Sequence, residues 1–212
     1  MDAYAVFQDD CLIAAYKPYG VLSEAHEKEP NMPAILRALT DSDIYPVHRL
    51  DKTTEGLILY AKTPDAAAKL SAMIQRGEVH KTYLALVEGV PDPHGELTDL
   101  LYFDRSKGKS YAVKRPRKGV KEAKLIYDRL DTFTLDGAAV SKLRIRLLTG
   151  RTHQIRVQFA SRGMPLVGDR RYGSRIRADR IALCAAELSF IHPFTGEELH
   201  FTCNPENPVF NQ

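Results

Sequence analysis

The stretch His48-Arg49-Leu50-Asp51-Lys52-Thr53-Thr54-Glu55-Gly56-Leu57-Ile58-Leu59-Tyr60-Ala61-Lys62 sets one carboxylate, Asp51, among cations at the mouth of a buried element. Leu57 to Ala61 is an unbroken apolar run of strand length, which predicts a strand buried on both faces. His48, Arg49 and Lys52 flank Asp51, and nearby positive charge favours the ionised form of a carboxylate. Taken alone, an Asp ahead of turn residues is usually a cap or turn former. Its chemistry therefore depends on what the rest of the chain supplies.

Outward from this stretch, strands outnumber helices. Tyr4-Ala5-Val6-Phe7 and Leu12-Ile13-Ala14-Ala15-Tyr16 predict a strand pair turning at Asp9-Asp10, which ends at Lys17-Pro18-Tyr19-Gly20. Met32 to Leu39 predicts a short helix with Pro33 in its first turn. Thr63-Pro64-Asp65 is a helix start with Thr as N-cap, and Gly77 is its stop. Leu70, Met73 and Ile74 form the apolar face of that helix, and its Ala run suits close packing on a sheet. His80 to Val87 reads as a strand. Residues 91–122 carry Pro, Gly and Lys with little periodicity and read as hairpins and loops. Lys124–Asp131 and Lys142–Leu148 predict strands. In the second, Leu143, Ile145 and Leu147 face one way, Arg144 and Arg146 the other. Thr152 to Ser161 predicts a helix closed by Gly163 and Pro165. Residues 181–190 and 197–203 form a last strand pair across Pro193-Phe194-Thr195-Gly196. Short turns between most strands argue for an α+β fold, with a mixed, largely antiparallel sheet flanked by helices and loops.

The 212 residues allow one domain with a full core or two small ones. No apolar run approaches the ~20 residues of a membrane helix. The N-terminus lacks a basic region before an apolar one, so no secretory signal is expected. Cys11, Cys184 and Cys203 are odd in number and lack metal-ligand spacing, which fits a reducing cytoplasm. Net charge is +3, but it is unevenly spread. Arg105 to Lys124 holds nine Lys or Arg against Glu122 alone, and Arg151 to Arg180 holds eight Arg and no Lys. Such asymmetry points to a polyanion on one face. An arginine-only run suits bidentate phosphate contacts, whereas the first run also reads as a solvated loop.

Three ordered blocks carry a family resemblance. His48-Arg49-Leu50-Asp51 with Thr54 and Gly56 resembles the H-R-L-D-x-x-T-S-G signature of the RluA-type pseudouridine synthases, with Glu55 where Ser is more usual. Lys81-Thr82-Tyr83 resembles the family's K-x-Y strand. Gly150-Arg151-Thr152-His153-Gln154-Ile155-Arg156 resembles its G-R-T-H-Q-I-R motif. Val167-Gly168-Asp169-Arg170-Arg171-Tyr172-Gly173 looks like the segment that follows, and Lys17-Pro18-Tyr19-Gly20 like the K-P-x-G turn. The match runs from about residue 5 to about residue 205 in the family's order. It implies the pseudouridine synthase catalytic fold over residues 1–212 as a single domain. Asp51 lies too near the N-terminus for the small additional RNA-binding domain that relatives often carry there. The implied partner is ribosomal or transfer RNA, met as a monomer and away from membranes.

The implied reaction breaks the N1–C1′ bond of a uridine, turns the uracil and rejoins it through C5, without a metal, nucleotide or redox cofactor. Positive charge at C1′ makes the problem resemble glycoside cleavage. The resemblance gives Asp51 the essential role, as stabiliser of that charge, nucleophile at C1′ or base at C2′. The base must be flipped out of the RNA, and an aromatic face is its natural holder. Tyr83 matches the family tyrosine at that place, although a strand tyrosine is commonly a core residue. Arg156 is the preferred cation for Asp51, since residues 152 and 156 share a face if Thr152 caps the helix. Arg151, on the loop before it, suits a phosphate. Arg49 is a candidate for flipping or phosphate contact, and His48 and His153 complete the substrate-binding set, His153 by bracing its loop. Two other classes compete: a non-catalytic RNA-binding module on the same fold, and a nucleoside or sugar hydrolase with Glu55 as the second acid.

Overall fold

A computed structural model describes residues 3–211; Met1 and Asp2, where the N-terminal reading began, and Gln212 lie outside the described residues. The elements in chain order are β1 (Tyr4–Gln8), β2 (Leu12–Lys17), α1 (Met32–Thr40), β3 (Tyr45–Pro46), β4 (Glu55–Ala61), α2 (Pro64–Arg76), β5 (His80–Glu88), β6 (His94–Asp104), β7 (Lys109–Val113), β8 (Val120–Leu135), β9 (Ala138–Leu147), α3 (Gln154–Ala160), β10 (Leu183–Ile191) and β11 (Glu198–Thr202). The mixed, mostly antiparallel α+β architecture expected from the sequence is present. The chain divides into two compact units, one made of the chain up to Lys81 with Cys184–Glu206, the other of Thr82–Leu183 with the residues from Asn207 on.

The first unit is built on β4. All seven of its residues are buried, as are all six of β2, its antiparallel neighbour. β1 pairs with β2, β3 with the end of β4, and β11 with β10, all antiparallel, while β10 runs parallel to β4. The β1–β2 turn forms because Asp9 Oδ1 accepts the Cys11 and Leu12 N–H groups at 2.7 and 2.8 Å. α2 begins where the sequence predicts: the Thr63 hydroxyl accepts the Ala66 N–H at 3.2 Å, Pro64 fills the first turn, and Gly77 ends the helix at φ +76°. Ala66, Leu70 and Met73 bury the helix against Leu57, Leu59, Leu188 and Phe190, with Ile74 partly buried beside them.

The second unit is an antiparallel sheet in the order β5-β9-β8-β6-β7. Leu143 and Ile145 of β9 are buried and Arg144 and Arg146 exposed, as their alternation predicts, although Leu147 is only partly covered. Two expectations need correction. Residues 91–122 are more regular than their composition suggests, since they hold the eleven-residue β6, β7 and the start of the sixteen-residue β8. Only Leu97 and Leu101 of β6 and Ser110 of β7 are buried, so few positions in these strands carry an apolar signal for a period to show in. α3 starts at Gln154 and spans seven residues, and Thr152 is not its cap. His153 stands at the N-cap with φ +55°, which stops the helix from extending back.

Candidate active site

Asp51 lies on the turn that leads into β4, closed by the Thr54 N–H donating to the Asp51 carbonyl at 2.9 Å. The K-P-x-G turn fastens it from one side. The Gly20 N–H and the Lys17 ammonium both donate to the Lys52 carbonyl, at 2.8 and 3.4 Å. Lys17 also donates to the Pro18 and Val21 carbonyls at 2.9 Å each. Its ammonium is wholly buried, and burial lowers its pKa to about 7 against the upward pull of Asp51 and Glu55. Ahead of Asp51, the Ser23 hydroxyl donates to the Leu50 carbonyl at 2.8 Å and accepts the Leu50 N–H at 3.0 Å. The Tyr60 hydroxyl holds the Ser23 carbonyl in turn at 2.8 Å. The main chain on both sides of Asp51 is thus tied down, so its carboxylate projects from a fixed support.

The neighbours of Asp51 divide by role. His48 Nε2 accepts the Leu59 N–H at 3.0 Å, and burial, with the charge of Lys81, pushes its pKa down to about 3. It is a neutral brace between the motif and β4. Arg49 is exposed and pairs with Glu24 at 3.1 Å, a contact that water screens and a phosphate can exchange for. Lys52 pairs with Glu29. Glu55, the departure from the signature, is buried and accepts the Glu206 N–H at 3.0 Å, which anchors the C-terminal segment. Gly56 has φ +114°, and a Cβ there would stand 2.3 Å from the Ala185 carbonyl oxygen. The signature glycine is therefore required by the parallel pairing of β4 with β10.

In the second unit Tyr83 is buried in β5, opposite Ile145 of β9. Arg156 is 4% exposed, and its guanidinium pairs side-on with Asp169, Nε to Oδ2 at 2.6 Å and Nη2 to Oδ1 at 3.0 Å. Arg156 does not share a helix face with Thr152, because Thr152 precedes the helix; it projects from the first turn of α3 instead. The loop before α3 is held by Gln154, whose Oε1 accepts the Arg151 N–H at 3.0 Å and the Thr149 hydroxyl at 2.8 Å. Arg151 extends from that loop, its Nε donating to the Glu122 carbonyl at 2.8 Å. His153 Nδ1 meets the Tyr172 hydroxyl at 2.9 Å. The structure thus gathers His48, Arg49 and Asp51 before β4, and Arg151, His153 and Arg156 around the start of α3. Sequence reasoning assigned no role to Lys17, Asp169 or Tyr172. Their signal was present in the K-P-x-G and V-G-D-R-R-Y-G segments.

Comparison with known proteins agrees with these motifs. Residues 11–161 match the family model described as RNA pseudouridylate synthase. The chain is 30% identical to tRNA pseudouridine synthase C of Vibrio vulnificus, over 92% of this chain and 87% of the relative. It is 32% identical to the dual-specificity RNA pseudouridine synthase RluA of Escherichia coli K12, over 92% and 90%. Its fold matches the structure of human RNA pseudouridylate synthase domain containing 1 with a TM-score of 0.80 at 24% identity, covering 98% of this chain and 86% of that one. An α+β fold with these three motifs defines an RNA-modifying isomerase. The chain belongs to the RluA-type RNA pseudouridine synthases, which isomerise uridine in RNA to pseudouridine.

Proposed function

We propose that this enzyme isomerises specific uridines in structured ribosomal or transfer RNA, with residues 1–212 working as one catalytic domain and Asp51 as the essential group at the ribose C1′/C2′ region. The observation that carries this reading is the support under Asp51: its turn is held on both flanks by Lys17, Gly20 and Ser23, through bonds that all fall on main-chain groups of the motif. Among the relatives, one is named for transfer RNA and one for dual specificity, which supports a structured RNA of either kind.

Tyr83 is assigned to the face of the flipped uracil and Arg156 to the cation that directs Asp51. Arg49 and Arg151 are assigned to phosphates, and His48 and His153 to bracing the loops that carry them. An RNA substrate and three cysteines without a disulfide suit the cytoplasm, and the enzyme is assigned there as a monomer. No helix among the described residues is long and apolar enough to cross a membrane.

The test is tritium release from ribosomal and transfer RNA transcripts labelled at C5 of uridine. The wild type frees that hydrogen and leaves the base attached, whereas a hydrolase detaches the base and a binding module does neither. Asp51→Asn is nearly isosteric, so it should abolish release while RNA affinity stays within about 3-fold. Turnover by the Asn variant above host background would end the catalytic assignment.

A further inference from the structure

The V-G-D-R-R-Y-G segment wraps the guanidinium of Arg156. Asp169 is 1% exposed and takes Arg156 side-on through both oxygens. The Tyr172 ring lies 5.0 Å from the guanidinium carbon, in cation–π range. The Tyr172 hydroxyl is itself anchored: it accepts the Ser110 N–H at 2.9 Å, lies 3.2 Å from the Ser110 carbonyl, and meets His153 Nδ1 at 2.9 Å. Asp169 has an equally fixed backbone. Its N–H donates to the Leu166 carbonyl, and its own carbonyl accepts the Tyr172 and Ser174 N–H groups. Gly168, at φ +79°, passes so close to the Arg180 carbonyl oxygen that a Cβ would lie 2.5 Å from it.

A buried arginine–carboxylate pair is a poor source of stability, because desolvation offsets most of the attraction. What this geometry supplies is direction. Side-on pairing uses the Nε–H and one Nη2–H of five donors and fixes the guanidinium plane, so the other three N–H bonds have set directions. The ring of Tyr172 limits tilting of that plane. Its hydroxyl links the arrangement to β7 through Ser110 and to the α3 entry through His153.

We propose that Asp169 and Tyr172 are positioning residues for the isomerisation, acting through Arg156 to aim its guanidinium at the reacting centre. The proposal rests on the reading of Arg156 as the cation of that centre. It goes beyond the three motifs by giving the segment after them a part in the chemical step.

The test compares Arg156→Lys, Arg156→Gln, Asp169→Asn, Tyr172→Phe and the double variant Arg156→Lys with Asp169→Asn. Single-turnover tritium release at saturating RNA, RNA affinity and the thermal midpoint are measured for each. Asp169→Asn should slow the step by ~10- to 100-fold and Tyr172→Phe by ~3- to 10-fold, the scale expected for a misaimed catalytic group. RNA affinity should stay within about 3-fold. The double variant should be no slower than Arg156→Lys alone, because Asp169 has nothing left to aim. Tyr172→Phe removes one hydroxyl, so it decides the matter if Asp169→Asn does not fold. A slow Arg156→Lys beside wild-type rates in Asp169→Asn and Tyr172→Phe overturns the proposal and spares the reading of Arg156. A wild-type rate in Arg156→Lys, which keeps the charge and loses the fork, overturns the aiming role alone; a wild-type rate in Arg156→Gln, which removes the charge, overturns both. Multiplicative slowing in the double variant, or loss of affinity and midpoint in step with rate, leaves Asp169 a structural residue only.

Discussion

His48 shows what a single residue contributes here. Its Nε2 accepts the Leu59 N–H, which requires that nitrogen to be unprotonated. Burial, helped by the charge of Lys81, lowers its pKa from 6.5 to about 3. The folded chain therefore binds fewer protons than the unfolded chain between those values. The stability His48 contributes is complete above pH 6.5 and is lost as pH falls toward 3. Urea unfolding at pH 7 and pH 4 should show the wild type losing on the order of 2–4 kcal/mol more than His48→Gln, which cannot titrate. Parallel losses in both proteins would show that the ring titrates normally. The sequence placed His48 beside Asp51, but residue type alone does not say that a backbone N–H claims its nitrogen. Lys17 is similar: its spacing marked a turn, and only the fold reveals an ammonium buried among three carbonyls.

Elements formed where local chemistry was complete. α2 has its N-cap, its first-turn proline and its αL glycine within its own residues, and its limits are legible in the sequence. α3 lacks such signals, and its start is set by His153 at φ +55° and by the Gln154 side chain accepting from Arg151 and Thr149. β4 is an instance between the two. Its apolar run is plain, yet the need for Gly56 comes from β10, more than a hundred residues away in the chain. Gly56→Ala combines a positive φ with a backbone clash that no rotamer relieves. It should cost at least about 3 kcal/mol, seen as a large drop in thermal midpoint or as insoluble protein. A variant melting within a degree of wild type would mean that the β4–β10 approach yields easily.

At the scale of the molecule, the small net charge conceals opposite units. The first carries 9 Lys and Arg against 16 Asp and Glu, the second 21 against 11. The second unit is thus the one suited to an RNA backbone. Its β7–β8 connection presents Lys114, Arg115, Arg117 and Lys118, all exposed, with Arg117 over the Tyr102 ring at 4.6 Å. Replacing these four with Gln should weaken RNA binding and flatten its salt dependence by roughly 0.7–0.9 in log–log slope for each phosphate no longer neutralised. The single-turnover rate at saturating RNA should change less than 3-fold or so, since an exposed connection adds little to the core. An unchanged slope would assign this run to solvent and leave the arginines from Arg151 onward to meet the phosphates.

Sequence alone determined the family, the α+β class, the limits of the capped helix and the position of Asp51, because each depends on side chains that are neighbours in the chain or on motifs in fixed order. The tertiary structure decided which polar groups are consumed by the fold. Asp169 on Arg156, Glu55 on the Glu206 N–H and Lys17 on the Lys52 carbonyl join residues from 13 to 151 positions apart. Such pairings follow from the folding of strands and loops onto one another, and a buried charge takes whichever partner the packing brings within reach.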